Sequence, residues 1–97
     1  KFKSIPTYSA SKAGVIGLAR WLATWLGNDS VRVNVLTPGG VYNNHTKSFN
    51  KKYSERTPLN RMAKSTEMNG ILAYLMSDDS SYATGQNFII DGGYTAK

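Results

Sequence analysis

Two short apolar segments limit what this chain can fold into. Residues 31–37 (VRVNVLT) alternate valine with polar residues and then turn apolar, and residues 87–91 (NFIID) form a second strand-like run. Pro38-Gly39-Gly40 stops the first and Gly92-Gly93 stops the second. Between them lie a long polar stretch and a helix pattern, far more chain than a hairpin needs. Parallel strands require such a crossover. Ahead of both, residues 8–26 repeat Tyr8, Val15, Leu18, Leu22 and Leu26 at helical spacing, with Trp21 and Trp25 one turn apart. The order helix–strand–long loop–helix–strand is that of a parallel α/β sheet.

The first helix is expected to be capped by Thr7 or Ser9, with Pro6 just outside it, and to end at Gly27-Asn28 in a left-handed cap. It is apolar around most of its circumference, and Ala10, Ala13, Gly14 and Gly17 give it a small-residue side. Such a helix is buried on two faces, and a second subunit is the natural cover for one of them. Residues 41–60 form a polar connection long enough to be a functional loop or lid, with a short helix at about 47–54. A second helix is expected over 65–76, where Met68, Ile71, Leu72 and Leu75 share a face. Residues 77–85 read as a turn region, with Asp78 and Asp79 making turn hydrogen bonds rather than a catalytic carboxylate pair.

Parallel strands are buried on both faces and need neighbours and covering helices. Two strands and two main helices do not close such a core, while ordering the backbone costs roughly 1–2 kcal/mol per residue. The chain is therefore expected to be the C-terminal part of a longer one. The isolated 97-residue species is expected to be unfolded or prone to aggregate.

Charge narrows the function classes. The net charge is +6, with eleven Lys/Arg against two acids in residues 1–64 and one Lys against four acids in 65–97. Nucleic-acid binding usually needs a clustered basic stripe, and here only Lys51-Lys52 are adjacent. A bound anionic cofactor is the better use of this charge, and no nucleic-acid partner is expected. No apolar run approaches the roughly 18 residues of a membrane span. There is no cysteine and one histidine, so no metal site is expected. The lack of cysteine is compatible with a reducing compartment.

Several motifs together resemble the short-chain dehydrogenase/reductase family. Tyr8-Ser9-Ala10-Ser11-Lys12 matches its Tyr-x-x-x-Lys motif. Arg32-Val33-Asn34 and then Pro38-Gly39-Gly40-Val41 match the strand and loop that follow that helix. Thr84-Gly85 and Ile89-Ile90-Asp91-Gly92-Gly93 match the family's last strand and turn. The similarity runs from about Thr7 to Tyr94, with the four motifs in the family's order.

The resemblance implies that residues 1–97 are the C-terminal portion of a single Rossmann-type domain, a doubly wound parallel sheet, with 41–60 as its substrate lid. It implies an enzyme that uses NAD or NADP to interconvert a secondary alcohol and a ketone by hydride transfer. It also implies a homotetramer or homodimer and a cytoplasmic location. The family's glycine-rich cofactor fingerprint and catalytic serine lie upstream of the tyrosine, so neither can be assigned to a residue here. The fragment alone is expected to be inactive.

The chemistry of the first motif follows from its spacing. Hydride transfer to a carbonyl leaves an alkoxide that must be protonated, and the reverse reaction needs a base. A free phenol is a poor base at neutral pH, and a cation nearby favours its ionised form. At i and i+4 on a helix, Tyr8 and Lys12 become neighbours on one face, which is what a general acid/base requires. Ser9 and Ser11 have no base beside them and read as capping or solvent-facing residues. By resemblance Lys12 also binds the nicotinamide ribose. The resemblance also implies that Pro38, Gly39 and Val41 line the nicotinamide, with the Val41 backbone on its carboxamide.

Where the family often carries threonine, this chain has Asn43, which can still hydrogen-bond a carboxamide or phosphate. Gly40, Tyr42, Asn44 and His45 are the candidate substrate contacts, with Phe49 and Tyr53 in the same lid. Its polarity favours a sugar derivative or small polyol over a 3-oxoacyl thioester. Arg61, in Pro58-Leu59-Asn60-Arg61, reads as a structural salt-bridge partner. A non-catalytic structural or binding role and a basic nucleic-acid-binding fragment are the rival readings.

Overall fold

The computed structural model describes residues 6–44 and 46–96. They divide into two compact units, one holding the chain up to Val35 together with 81–87, the other holding 36–80 and 88–96.

In the first unit the dominant element is α1 (Pro6–Leu26). Pro6 is its first helical residue rather than a residue outside it; proline's fixed φ and missing N–H suit that position. Thr7 and Ser9 consequently lie inside the helix and do not cap it. One stripe of α1 is covered: Ala19 and Ala23 are buried, and Lys12, Ile16, Leu22 and Leu26 are half-buried. The helix runs into a short 3-10 turn, Gly27–Asp29. The left-handed residue is Ser30 (φ 60°), whose N–H donates to the Gly27 carbonyl at 3.0 Å, not Gly27 or Asn28 as the sequence suggested.

The strand expected over 31–37 starts only at Val35. Residues 32–34 meet 83–86 through irregular bonds instead. Gly85 N–H donates to Val33 O at 2.7 Å, Val33 N–H to Thr84 Oγ1 at 3.1 Å, and Asn34 Nδ2 to Ala83 O at 2.8 Å. Gly85 sits at φ +73°, outside the extended region, so the ladder cannot pass through it. Regular pairing begins where Val35 N–H reaches Gln86 O at 2.9 Å.

The second unit is built on β1 (Val35–Pro38) and β2 (Asn87–Ile90), neighbours in one two-stranded sheet. Gly39 N–H donates to Ile90 O at 2.9 Å. The pairing advances in the same direction along both strands, so the sheet is parallel. Strand β2 stops at Ile90 because the Asp91 carboxylate folds back on the chain ahead. It accepts from Gly93 N–H (3.0 Å), Thr95 N–H (3.0 Å) and Thr95 Oγ1 (2.7 Å), and a 3-10 turn, Tyr94–Ala96, follows.

Helix α2 (Lys47–Arg56) lies inside the expected lid, two residues longer than the sequence suggested. The Thr46 hydroxyl caps its start by accepting from Phe49 N–H at 3.2 Å. Its end is closed by Thr57, which is buried and donates to Tyr53 O at 2.9 Å, ahead of Pro58. The expected 65–76 helix is a 3-10 turn, Ser65–Met68, leading into α3 (Asn69–Met76). Met68 is buried and Ile71 and Leu75 are half-buried, while Leu72 is exposed. The turn after α3 is held by serines rather than by Asp78 or Asp79. Buried Ser80 donates to Leu75 O (3.1 Å) and Ser77 O (3.0 Å), and Ser77 Oγ to Tyr74 O (3.0 Å).

Candidate functional site

The residues expected to act fall into both units. Tyr8 and Lys12 lie in the first turns of α1, one helical turn apart; Tyr8 is exposed and Lys12 half-buried. Ser9 and Ser11 are exposed on the same helix.

Pro38, Gly39, Gly40 and Val41 form the corner that follows β1 in the second unit. Both glycines are demanded by neighbours within this unit. A methyl group on Gly39 would lie 2.7 Å from the Asp91 Cα, and one on Gly40 would lie 2.5 Å from Cζ of Tyr53. Packing inside this unit therefore already requires glycine at both positions. Beyond the corner, Val41 forms a parallel bridge with Ala63. The bridge uses Gly40 O, which accepts from Ala63 N–H at 2.8 Å, and Tyr42 N–H, which donates to Ala63 O at 2.9 Å. In this pattern Val41's own N–H and C=O point to the opposite edge. That edge offers one donor and one acceptor side by side, the pair that a carboxamide needs.

Tyr42, Asn43 and Asn44 follow the corner and are exposed, with Asn44 at φ 56°. His45 lies outside the described residues. Tyr42 lines a cavity of about 430 Å³ with Asn50, Ser54, Met62, Ala63, Lys64 and Ser65, a wall of mixed polar and apolar groups. In it Asn50 matters most: its Oδ1 is buried without a hydrogen-bond partner, a state that calls for a donor. Asn50 was not singled out in the sequence, because an asparagine among polar lid residues carries no signal until its burial is known. A smaller cavity of about 140 Å³ adjoins the corner, lined by Gly39, Gly40, Tyr53, Met68, Ile90 and Asp91 among others.

Charged groups around the corner are mostly committed. Arg61 binds Glu67 in a two-pronged pair, Nη1–Oε1 at 2.7 Å and Nη2–Oε2 at 2.9 Å, and Glu67 Oε1 also accepts from Lys64 N–H at 2.8 Å. The Arg61 guanidinium, with that N–H, pulls the Glu67 carboxyl down to about 2. Arg61 is thus a structural partner, as its sequence context suggested. The Thr95 hydroxyl, helped by the N–H groups of the turn, holds the Asp91 carboxyl below its usual value. Burial pushes the Tyr53 phenol up, against the opposing effect of the Gly40 N–H bonded to it.

Comparison with known proteins gives the class. Residues 2–95 match a family model described as enoyl-(acyl carrier protein) reductase. The solved short-chain dehydrogenase of Leptospira borgpetersenii with bound NAD+ superimposes with a TM-score of 0.91 at 38% identity, over 97% of this chain and 37% of that one. The chain belongs to the short-chain dehydrogenase/reductase family and has part of its Rossmann-type α/β fold.

Among its curated relatives, D-arabinitol 2-dehydrogenase (ribulose-forming) of Candida tropicalis is 43% identical over 96 residues, 90% of this chain and 34% of that protein. The 3-oxoacyl-(acyl-carrier-protein) reductase FabG of Thermotoga maritima is 42% identical over 90 residues, 89% of this chain and 37% of that protein. The chain spans about a third of the length of these relatives.

Proposed function

We propose that the whole polypeptide carrying this chain is an NAD- or NADP-dependent oxidoreductase that interconverts a secondary alcohol and a ketone. The single observation that carries this reading is the Val41 edge. A corner at the carboxyl end of a parallel strand, where ligands bind in open α/β sheets, leaves one backbone donor and one acceptor for a carboxamide. Pro38, Gly39 and Val41 would line the nicotinamide, and Asn43 would hydrogen-bond its carboxamide or a phosphate. When bound, the nicotinamide supplies or accepts the hydride. Tyr8 gives up or takes the proton of the substrate oxygen, and Lys12, one turn along, would hold the ribose.

Residues 41–60 act as the lid. Gly40, Tyr42, Asn44 and His45 are its substrate contacts, and the unpartnered Asn50 Oδ1, with Ser54 and Ser65 beside it, favours a hydroxylated substrate such as a sugar derivative or polyol. This reading also has support from relatives whose names are those of a polyol dehydrogenase and a 3-oxoacyl reductase. The active form is a homodimer or homotetramer in the cytoplasm, with α1 in an interface, and the 97-residue chain alone is inactive.

The test is oxidation of NADH or NADPH by the whole polypeptide with a panel of ketones. Tyr8→Phe removes the proton-transferring hydroxyl and is expected to lower kcat by roughly 10²–10⁴-fold. Turnover that survives Tyr8→Phe would overturn the assignment. Salt-sensitive DNA binding that survives it, with no nicotinamide oxidation, would support the basic binding-fragment reading instead.

A further inference from the structure

We infer that Tyr53 is a positioning residue, a latch through which helix α2 and the stacked Tyr94 hold the Gly40 backbone in its working conformation. The inference rests on the oxidoreductase reading above, because it concerns the corner that would hold the nicotinamide.

Four contacts converge on it. The Tyr53 ring fills the space where a side chain on Gly40 would stand: an added methyl would collide with Cε1 and lie 2.5 Å from Cζ and 2.9 Å from Cδ1. The phenol oxygen accepts a hydrogen bond from the Gly40 N–H. The ring stacks on Tyr94, with centroids 5.1 Å apart and planes 24° apart, an offset arrangement that aromatic pairs favour. One turn earlier on α2, Phe49 lies 6.2 Å away, centroid to centroid. The Gly40 carbonyl is meanwhile engaged by Ala63 N–H. Gly40 is therefore fixed through its N–H, its Cα and its carbonyl, and two of those three restraints come from one side chain.

The consequence falls on the next residue. Val41 N–H and C=O are aimed by the peptide planes on either side of Val41, and the first of those planes begins at Gly40. A shift of about 1 Å in such a positioning element can cost about 10²-fold in rate, and sites supported by packed neighbours hold their geometry better than free loops. Tyr53 also ties the lid helix to the turn after β2, since Thr57, which bonds its carbonyl, packs on Gly92. Tyr53 itself acts through Gly40 and is not a catalytic residue.

The test is a double-mutant cycle on the whole polypeptide, read by titrating NADH or NADPH fluorescence and by kcat and KM. Gly40→Ala is expected to weaken dinucleotide binding about tenfold or more. Tyr53→Ala should weaken it less, about three- to tenfold. The double variant is expected to bind within about threefold of Tyr53→Ala alone, because removing the ring removes the collision. Tyr53→Phe, which keeps the ring, is expected to stay within about threefold of the wild type. Rescue of this kind arises from the ring–glycine contact and not from a general loss of stability.

Additive losses in the double variant, with a wild type that binds the dinucleotide, would overturn the latch and leave the functional reading standing. A wild type that binds neither dinucleotide would overturn both. Should Gly40→Ala fail to fold, Tyr94→Ala removes only the outer ring. It is then expected to raise the dinucleotide Kd about threefold or more, and an unchanged Kd would overturn the latch.

Discussion

Helix α1 and the corner at residues 38–41 both carry small residues, and they use them in opposite ways. On α1 a methyl group added at Gly14 or Gly17 meets nothing within 4 Å. Around the same helix Leu18, Trp21 and Trp25 are more than half exposed, although the two indoles lean on each other at 5.1 Å. In the second unit the glycines are filled. A methyl would come within 2.7 Å of Asp91 at Gly39, 2.8 Å of Thr57 at Gly92 and 2.9 Å of Pro58 at Gly93. Small size at the corner is used up by contacts inside this chain. On α1, small and large apolar residues together leave an exposed apolar surface, and exposed apolar area of that kind marks interaction sites.

The strongest way to break this contrast is to study the 97-residue chain by itself. Among the described residues only Ala19, Ala23 and Met68 are buried apolar residues, too few to offset an ordering cost of roughly 1–2 kcal/mol per residue. No sharp thermal transition is expected, and a dye that binds exposed apolar surface should bind it. A cooperative melt would show that the α1 face needs no cover.

A smaller effect sharpens the contrast at one position. In a peptide spanning 6–26, Gly14→Ala is expected to raise helicity, by about 1 kcal/mol of helix propensity. In the assembled whole protein the same exchange is expected to reverse sign and lower the melting temperature, because a closely packed partner leaves no room for the methyl. A gain in both settings would mean that nothing packs against that side of α1.

How much of this was legible in the sequence depended on the range of the cause. Helix α1 announced itself through Val15, Leu18, Leu22 and Leu26, because periodicity is a local signal. The strand start at Val35 did not, because what displaced it was Gly85 and Thr84, some fifty positions along the chain. The helix end at Leu26 was legible, but the left-handed residue was not: Ser30, and not a glycine, took that conformation, after a 3-10 turn. The corner was legible as the end of a strand, yet the packing around Gly40 was not: Tyr53 and Tyr94 look like ordinary loop and tail aromatics until the fold stacks them. Asn50 needed burial to become visible. Tyr53, Tyr94 and Asn50 lie outside the motifs quoted above, so those motifs could not point to them.

The smallest expected effect concerns the Arg61–Glu67 pair, which stands at the start of α3, close in sequence to Ala63, the bridge partner of Val41. The Arg61 guanidinium and the Lys64 N–H lower the Glu67 carboxyl from 4.5 to about 2. A group whose folded value is depressed stabilises the fold fully above its unfolded value and loses that contribution as pH falls through the folded one. The stabilisation is therefore complete above about 4.5 and disappears on approach to about 2. Both side chains are well exposed, at 50% and 38%, so salt screens the pair and the effect is modest.

Glu67→Gln cannot ionise. In the whole polypeptide its urea midpoint is expected to lie slightly below that of the wild type at neutral pH, and the gap should close across this acid window and narrow in high salt. A gap that persists unchanged down to the lower end of the window would mean that the glutamate acts through shape and hydrogen bonding alone. In that case the charge of Arg61 has no part in holding the segment that carries Ala63 against the corner.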